Sequence, residues 1–134
     1  MATFNKFNAW VENMVEGANL GTDQFAAALT NTAPVATNSV LADITQISYT
    51  NLSSRNLTTA SASQTSGTFS LTFNDLVLTA SGAVGPFRYV VIYDDTVASP
   101  LDPLVGWYDY GSSISLASGE TLTIDFTGAA LTVA

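Results

Sequence analysis

The segment Phe87–Tyr93 (FRYVVIY) carries large apolar side chains at odd and even positions alike. Successive side chains of a strand point to opposite faces of its sheet, so a segment apolar on both faces needs cover on both. It therefore reads as a central strand, with Phe87, Tyr89, Val91 and Tyr93 on one face and Arg88, Val90 and Ile92 on the other. Four of the five tyrosines, three of the four prolines and one of the two tryptophans crowd into Gly85–Ser115 around it. Asp94-Asp95 ends the strand, and a loop runs to Pro103. Leu104–Tyr110 resumes as a strand, with Gly106 marking a bend or a close backbone approach.

The rest of the chain reads as short strands between turns. Gln24–Thr30 is a short apolar run followed by an Asn-Thr-Ala-Pro turn, which favours strand. Val40–Ile47 is either a short helix or an irregular edge strand. In Thr68–Leu78, Phe69, Leu71 and Phe73 alternate with Ser70 and Thr72, which predicts one buried and one polar face. Asn74-Asp75 breaks that alternation, as a bulge or tight turn would. Ser81–Pro86 reads as a turn. Ser112–Leu116 and Thr121–Phe126 read as a hairpin around Ala117–Glu120, with Leu122, Ile124 and Phe126 inward. Ala130–Val133 can add a last edge strand. The polar stretch from Asn51 to Thr68 reads as one edge strand with a loop, and its Asn51–Ser66 part is either an exposed outer face or a docking edge.

The N-terminal stretch has a different period. Phe4, Phe7, Val11, Met14 and Val15 recur at helical spacing with Trp10 beside them, predicting an amphipathic helix over Phe4–Glu16, with Thr3 as N-cap and Gly17 just past its end. The expected organisation is an N-terminal helix in residues 1–20, packed on or extending from the domain, and a β-sandwich domain in 21–134. The expected fold is mainly β: an antiparallel β-sandwich or jelly roll of about seven to nine short strands.

Composition narrows the chemistry. The chain has no histidine and no cysteine, which removes the commonest general base, the commonest metal ligand and any thiolate or disulfide. Three cations against 11 acids give a net charge of -8, which repels a phosphate backbone and argues against nucleic acid as a partner. No apolar run is long enough for a membrane span, no secretory leader is evident, and the acidic polar face of the N-terminal helix suits a membrane surface poorly. Charged residues make up 10% of the chain against about 25% in ordinary soluble domains. Hydroxyls take their place: 18 Thr and 14 Ser. Such side chains suit both strand formation and broad contact with another protein.

Few constellations could carry catalysis. Ser or Thr nucleophiles have Lys6 as the one amine to serve as base. Asp94, Asp95, Asp102 and Asp109 lie close in sequence and are the acids from which a glycosidase pair or a Ca²⁺ site would have to be drawn, but their spacing matches no EF-hand loop, and turns are where Asp ordinarily sits. No enzymatic activity, cofactor or metal is expected. Trp107, Tyr108 and Tyr110 read as sheet packing, with stacking on a glycan as the alternative. The expected contact residues are Phe4, Phe7 and Trp10, if the helix docks on a partner, and Asp94, Asp95 and Asp102 on the loop after the central strand.

Several runs, in order, carry a resemblance. They are Leu29-Thr30-Asn31-Thr32-Ala33-Pro34, Val40-Leu41-Ala42-Asp43-Ile44-Thr45, Gln64-Thr65-Ser66-Gly67-Thr68, Ala83-Val84-Gly85-Pro86-Phe87-Arg88-Tyr89, Pro103–Ser112 (PLVGWYDYGS) and Gly119–Phe126 (GETLTIDF). Across nearly its whole length the chain resembles a family of small virion structural proteins of tailed bacteriophages. The resemblance implies a structural role in the particle. Its expected form is a capsid decoration or cement protein on the outer shell, with the major capsid protein as partner and a homo-oligomeric state, a trimer by analogy with decoration proteins. A tail, fibre or connector component, with or without glycan binding, is the alternative. The family supplies no catalytic residues.

Overall fold

The computed structural model of the chain describes residues 3–126 and 128–134; Met1, Ala2 and Thr127, which the sequence reading assigns to the two expected regions, lie outside them. Nine strands, one short α-helix and one 3-10 turn make up its regular structure: β1 Phe4–Lys6, α1 Trp10–Glu16, β2 Phe25–Thr30, the turn Leu41–Asp43, β3 Thr59–Thr65, β4 Thr68–Phe73, β5 Leu76–Thr79, β6 Val84–Asp94, β7 Leu104–Leu116, β8 Thr121–Ile124 and β9 Leu131–Val133. The fold is mainly β and antiparallel, consistent with a sandwich.

One layer is a four-stranded sheet in the order β1-β7-β6-β2, and the other combines a three-stranded sheet, β3-β4-β9, with a two-stranded one, β5-β8. The main core lies between them. Phe25, Ala27 and Leu29 of β2, Phe87, Val90 and Ile92 of β6, and Val105 and Tyr108 of β7 meet Leu71 and Phe73 of β4, Leu78 of β5 and Ile124 of β8. Phe25, Phe73, Phe126 and Tyr108 form a ring chain through it, with centroids 5.4, 5.4 and 6.1 Å apart. A second core covers the opposite face of the four-stranded sheet: Ala26, Ala28, Val91, Tyr93 and Leu104 pack with Phe7 and Ile44, against Leu41 and Trp107. Cover on both faces is what the two-sided apolar pattern of β6 requires, and all six residues of β2 are buried for the same reason.

The central position of β6 is as expected, but the grouping of its side chains differs. Phe87 packs with Val90 and Ile92, not with Val91 and Tyr93. The β6–β7 ladder is interrupted between the pairs Phe87–Ile114 and Tyr89–Asp109, where one residue of β6 faces a longer excursion of β7 that contains Gly111 at φ +84°. An interrupted ladder resets which side chains share a face. The expected hairpin around Ala117–Glu120 is also revised. The turn forms, with the Ala117 amide donating to Glu120 Oε1 at 2.6 Å, but β8 pairs with β5 rather than with the preceding strand. Ser112–Leu116 instead continues the Leu104–Tyr110 run as one strand. The Asn74-Asp75 break marks where the chain leaves one sheet for another, and Asp75 accepts from the Phe126 amide at 2.8 Å to fix the crossing.

The N-terminal segment departs most from expectation. Phe4–Lys6 is a strand in register with Tyr108–Gly106 of β7, and the helix begins only at Trp10, with Ala9 rather than Thr3 at its N-cap. Gly17 ends the helix at φ −137°, outside the left-handed region. Val11 and Val15 of the predicted apolar stripe are exposed, at 47% and 77%. Two aromatic anchors outweigh helical periodicity here: Phe4 packs on Tyr108 at 4.9 Å and Phe7 on Trp107 at 4.6 Å, one on each side of the sheet edge. Within residues 3–20, Phe4–Lys6 thus joins the four-stranded sheet as its edge strand, ahead of the short helix.

Gly106 makes the β1–β7 approach possible. A Cβ at this position would meet the Phe4 ring and come within 2.6 Å of the Asn5 carbonyl oxygen, a backbone atom that can yield only by moving β1. Gly106→Val should therefore destabilise the domain by about 1–3 kcal/mol through overpacking, read by urea denaturation. It should also strip hydrogen-exchange protection from Phe4–Lys6 first. Unchanged protection there would show that β1 does not depend on this contact.

Candidate functional site

Three of the expected contact residues are closed off. Phe7, Trp10 and Asp94 are 0%, 1% and 0% exposed. Phe7 seals the second core, and Trp10 meets Phe25 edge-on at 6.3 Å in the first. Their burial excludes them from a partner surface in the folded chain. Phe4 is half-buried, Asp102 half-buried and Asp95 exposed.

The four acids grouped by sequence separate in space. Asp109 makes a two-point ion pair with Arg88, at 2.8 and 3.1 Å, and accepts from the Gly111 amide. The Arg88 guanidinium and that amide hold its carboxyl below the usual range. The others fall into two carboxyl–carboxyl contacts at the end of β6. Asp102 lies in hydrogen-bonding reach of Asp95 and is raised by burial and by that neighbour's charge. Asp94 lies likewise beside Asp23, on the turn before β2. Among the described residues no three His, Cys, Asp or Glu side chains converge as metal ligands would, and no helix is long and apolar enough to cross a membrane.

The aromatic triad also divides. Trp107 belongs to the second core and Tyr108 and Tyr110 to the first, because neighbours on a strand face opposite ways. Burial, reinforced by Tyr110 and Asp125, pushes the Tyr108 hydroxyl up to about 12. Arg55 is likewise committed to the fold: it donates to the Ala27 carbonyl at 2.6 Å and lies 3.5 Å from the centroid of the Tyr49 ring.

What the structure leaves open to solvent is a different surface. β3 and β4 form a hairpin through Ser66 and Gly67, both at positive φ (52° and 82°), as a two-residue hairpin turn requires. In the regular part of this hairpin Ser61 pairs with Thr72, Ser63 with Ser70 and Thr65 with Thr68, while Thr132 of β9 pairs with Ser70. Directly paired residues share a face. The alternate positions, Ala62 opposite Leu71 and Gln64 opposite Phe69, define the other face, on which Leu71 enters the core. The outward face of the β3-β4-β9 sheet therefore presents Ser61, Ser63, Thr65, Thr68, Ser70, Thr72 and Thr132: hydroxyls throughout, with no charged residue from Asn56 to Asn74 in a chain of net charge -8. The Phe-x-Leu-x-Phe alternation and the Ser-Gly dipeptide signal this face in the sequence; the outward positions of β3 are obscured because a bulge at Ala60 shifts the strand's register.

A groove of about 540 Å³ adjoins the same sheet, lined by Met14, Val15, Ala18, Leu20, Phe69 and Val133 among others. Its outer wall is α1, whose Glu12 and Glu16 are exposed.

The Asp94 corner sets a pH response. Oδ1 accepts from the Thr96 amide at 3.0 Å, while Oδ2 is buried without a hydrogen-bond donor. Burial, and then the Asp23 carboxyl, push Asp94 up to about 7 against the pull of the Thr96 and Val97 amides. A carboxyl raised above its unfolded value near 4 makes the folded chain hold its proton more tightly. That stabilisation is full below about pH 4 and is lost as pH rises through about 7. Through this group the domain should be about 2 kcal/mol more stable at pH 5.5 than at pH 8.5. Asp94→Asn, which keeps an acceptor for Thr96 and offers an uncharged donor to Asp23, should flatten that slope and raise stability at pH 8.5. Urea titrations of both proteins at the two pH values measure it; an unchanged slope would place the pH dependence elsewhere.

No family model, no curated protein and no solved structure matches the chain.

Proposed function

We propose that the chain is a non-enzymatic structural component of a bacteriophage particle, a decoration or cement protein seated on the outer capsid shell with the major capsid protein as its partner. The observation that carries the reading is the outward face of β3-β4-β9: seven hydroxyl side chains, uncharged, on a sheet backed by the main core. Serine and threonine lose little side-chain entropy when immobilised, and each hydroxyl can donate or accept. A face of this kind forms a broad, low-specificity contact with protein, and the resemblance of the chain to small phage virion proteins supplies the context. The remaining surface carries the solvent-exposed acids, which favour solubility and keep the protein off packaged nucleic acid.

The mechanism is differential binding. A protein that spans adjacent subunits of the expanded shell, and does not fit the unexpanded one, stabilises the expanded state by mass action. Each contact can be modest, because symmetry repeats it over the shell.

Copy number tests the assignment. Quantitative mass spectrometry of purified particles should find the chain at hundreds of copies, in a fixed ratio to the major capsid protein. A count of a few to a few dozen would instead assign it to the tail, a fibre or the connector. Absence from the particle would overturn both.

A further inference from the structure

The edges of the sandwich are treated unequally. The outer edge of β2 is covered: the Ala27 amide donates to the Arg55 carbonyl and the Leu57 amide to the Phe25 carbonyl, both at 2.9 Å, and the Ile47 amide donates to the Leu29 carbonyl at 3.0 Å. β5 is covered in part by the Ser53 amide, which donates to the Thr79 carbonyl. β1 and β9 are three residues each, too short to template much. β3 is different. It has seven residues, it lies at the end of its sheet, and among the described residues no strand pairs with its outer side.

Sheet edges of soluble proteins are normally protected by lysine, proline, a bulge or extreme shortness. β3 has a bulge at Ala60, but from Ser61 to Thr65 the ladder with β4 is regular and the sequence Ser-Ala-Ser-Gln-Thr contains neither charge nor proline. The neutrality matters in a chain of net charge -8, where most surfaces of two copies repel each other. The order of residues matters as well. Laid antiparallel on itself about Ser63, the segment places Ser63 opposite Ser63, Ser61 opposite Thr65 and Ala62 opposite Gln64. Every outward pair is then hydroxyl on hydroxyl, and every inward pair sets a small side chain against a longer one. Hydroxyl pairs across antiparallel strands are favourable, and a two-fold interface requires this kind of self-complementarity.

We infer that the Ser61–Thr65 edge is a self-association surface, on which a second copy of this chain pairs antiparallel about a two-fold axis through Ser63. The two three-stranded sheets join into one of six, β9-β4-β3-β3-β4-β9, with a single hydroxyl face spanning both copies. The pairing stands on the strand edge alone and holds whether or not the partner is a capsid.

Sedimentation equilibrium of the intact chain should give twice the 14.0 kDa chain mass at micromolar concentration. Ser63→Lys sets two lysines against each other across the axis and should return the mass to one chain, with the far-UV circular dichroism unchanged. Because the chain has no cysteine of its own, Ser63→Cys adds a cross-linking readout that does not depend on that variant: it should form a disulfide-linked dimer under mild oxidation, while Ser118→Cys, on the exposed turn between β7 and β8, should not. A monomeric wild-type chain overturns the proposal. So does a dimer that survives Ser63→Lys, which would move the interface to another surface such as the α1 groove, and so does equal cross-linking by the two cysteine variants.

Discussion

Everything in this fold follows from β6 being apolar on both faces. A strand of that kind cannot sit at a surface, so the chain must build two covers for it. The β3-β4-β9 and β5-β8 sheets supply one, closing the main core over Phe87, Val90 and Ile92. Phe7 and the segment around the Leu41–Asp43 turn supply the other, closing over Val91 and Tyr93. Burying large side chains on both sides of one strand, at about 25 cal/mol per Å² of apolar surface, draws the flanking segments into place, including stretches with little regular structure of their own.

The same constraint explains why chemistry-bearing residues end up in structural roles. Asp94 ends the strand that must be covered, so it is buried with it and left facing another carboxyl. Trp107 and Tyr108 lie on the neighbouring strand and are drawn into opposite cores. Two of the three cations are engaged by the fold: Arg88 pairs with Asp109, and Arg55 stacks on Tyr49 while bonding the β2 backbone. Among the polar side chains left at the surface, acids, amides and hydroxyls outnumber the remaining cation, Lys6.

Much of this is legible in the sequence, and the illegible parts have physical reasons. The central strand, the buried alternation of Phe69, Leu71 and Phe73, the Asn74-Asp75 break, the close approach at Gly106 and the terminal edge strand can all be read from local pattern, because each depends on neighbours in sequence. The N-terminal stretch misleads because Phe4 and Phe7 fit a helical period, while what decides their conformation is a pair of rings about a hundred residues away, Tyr108 and Trp107. Strand partners are equally hidden. Nothing local to Thr121–Ile124 tells it to pair with β5 across the chain instead of with the strand it has just left. The contact residues suffer most: aromatics and acids attract a functional reading because they are chemically conspicuous, whereas Phe7, Trp10 and Asp94 are conspicuous because they are core. The outward hydroxyls attract only a general reading, as side chains suited to broad protein contact, because which of them share a face is hidden until the hairpin register lines them up.

That hydroxyl face has a consequence for how any protein seated on it could change. A surface of fixed charges demands opposite charges in return, and one altered residue on either side becomes a mismatch. A hydroxyl is a rotor: turning about its C–O bond exchanges donor for acceptor at little energetic cost. An array of them on a stiff sheet can re-pair with a neighbour whose own donors and acceptors have been rearranged, and the contact persists while the sequence opposite drifts. Such a face is robust where a salt-bridged one would be exacting, and it gains that tolerance by giving up the ability to discriminate sharply among neighbours.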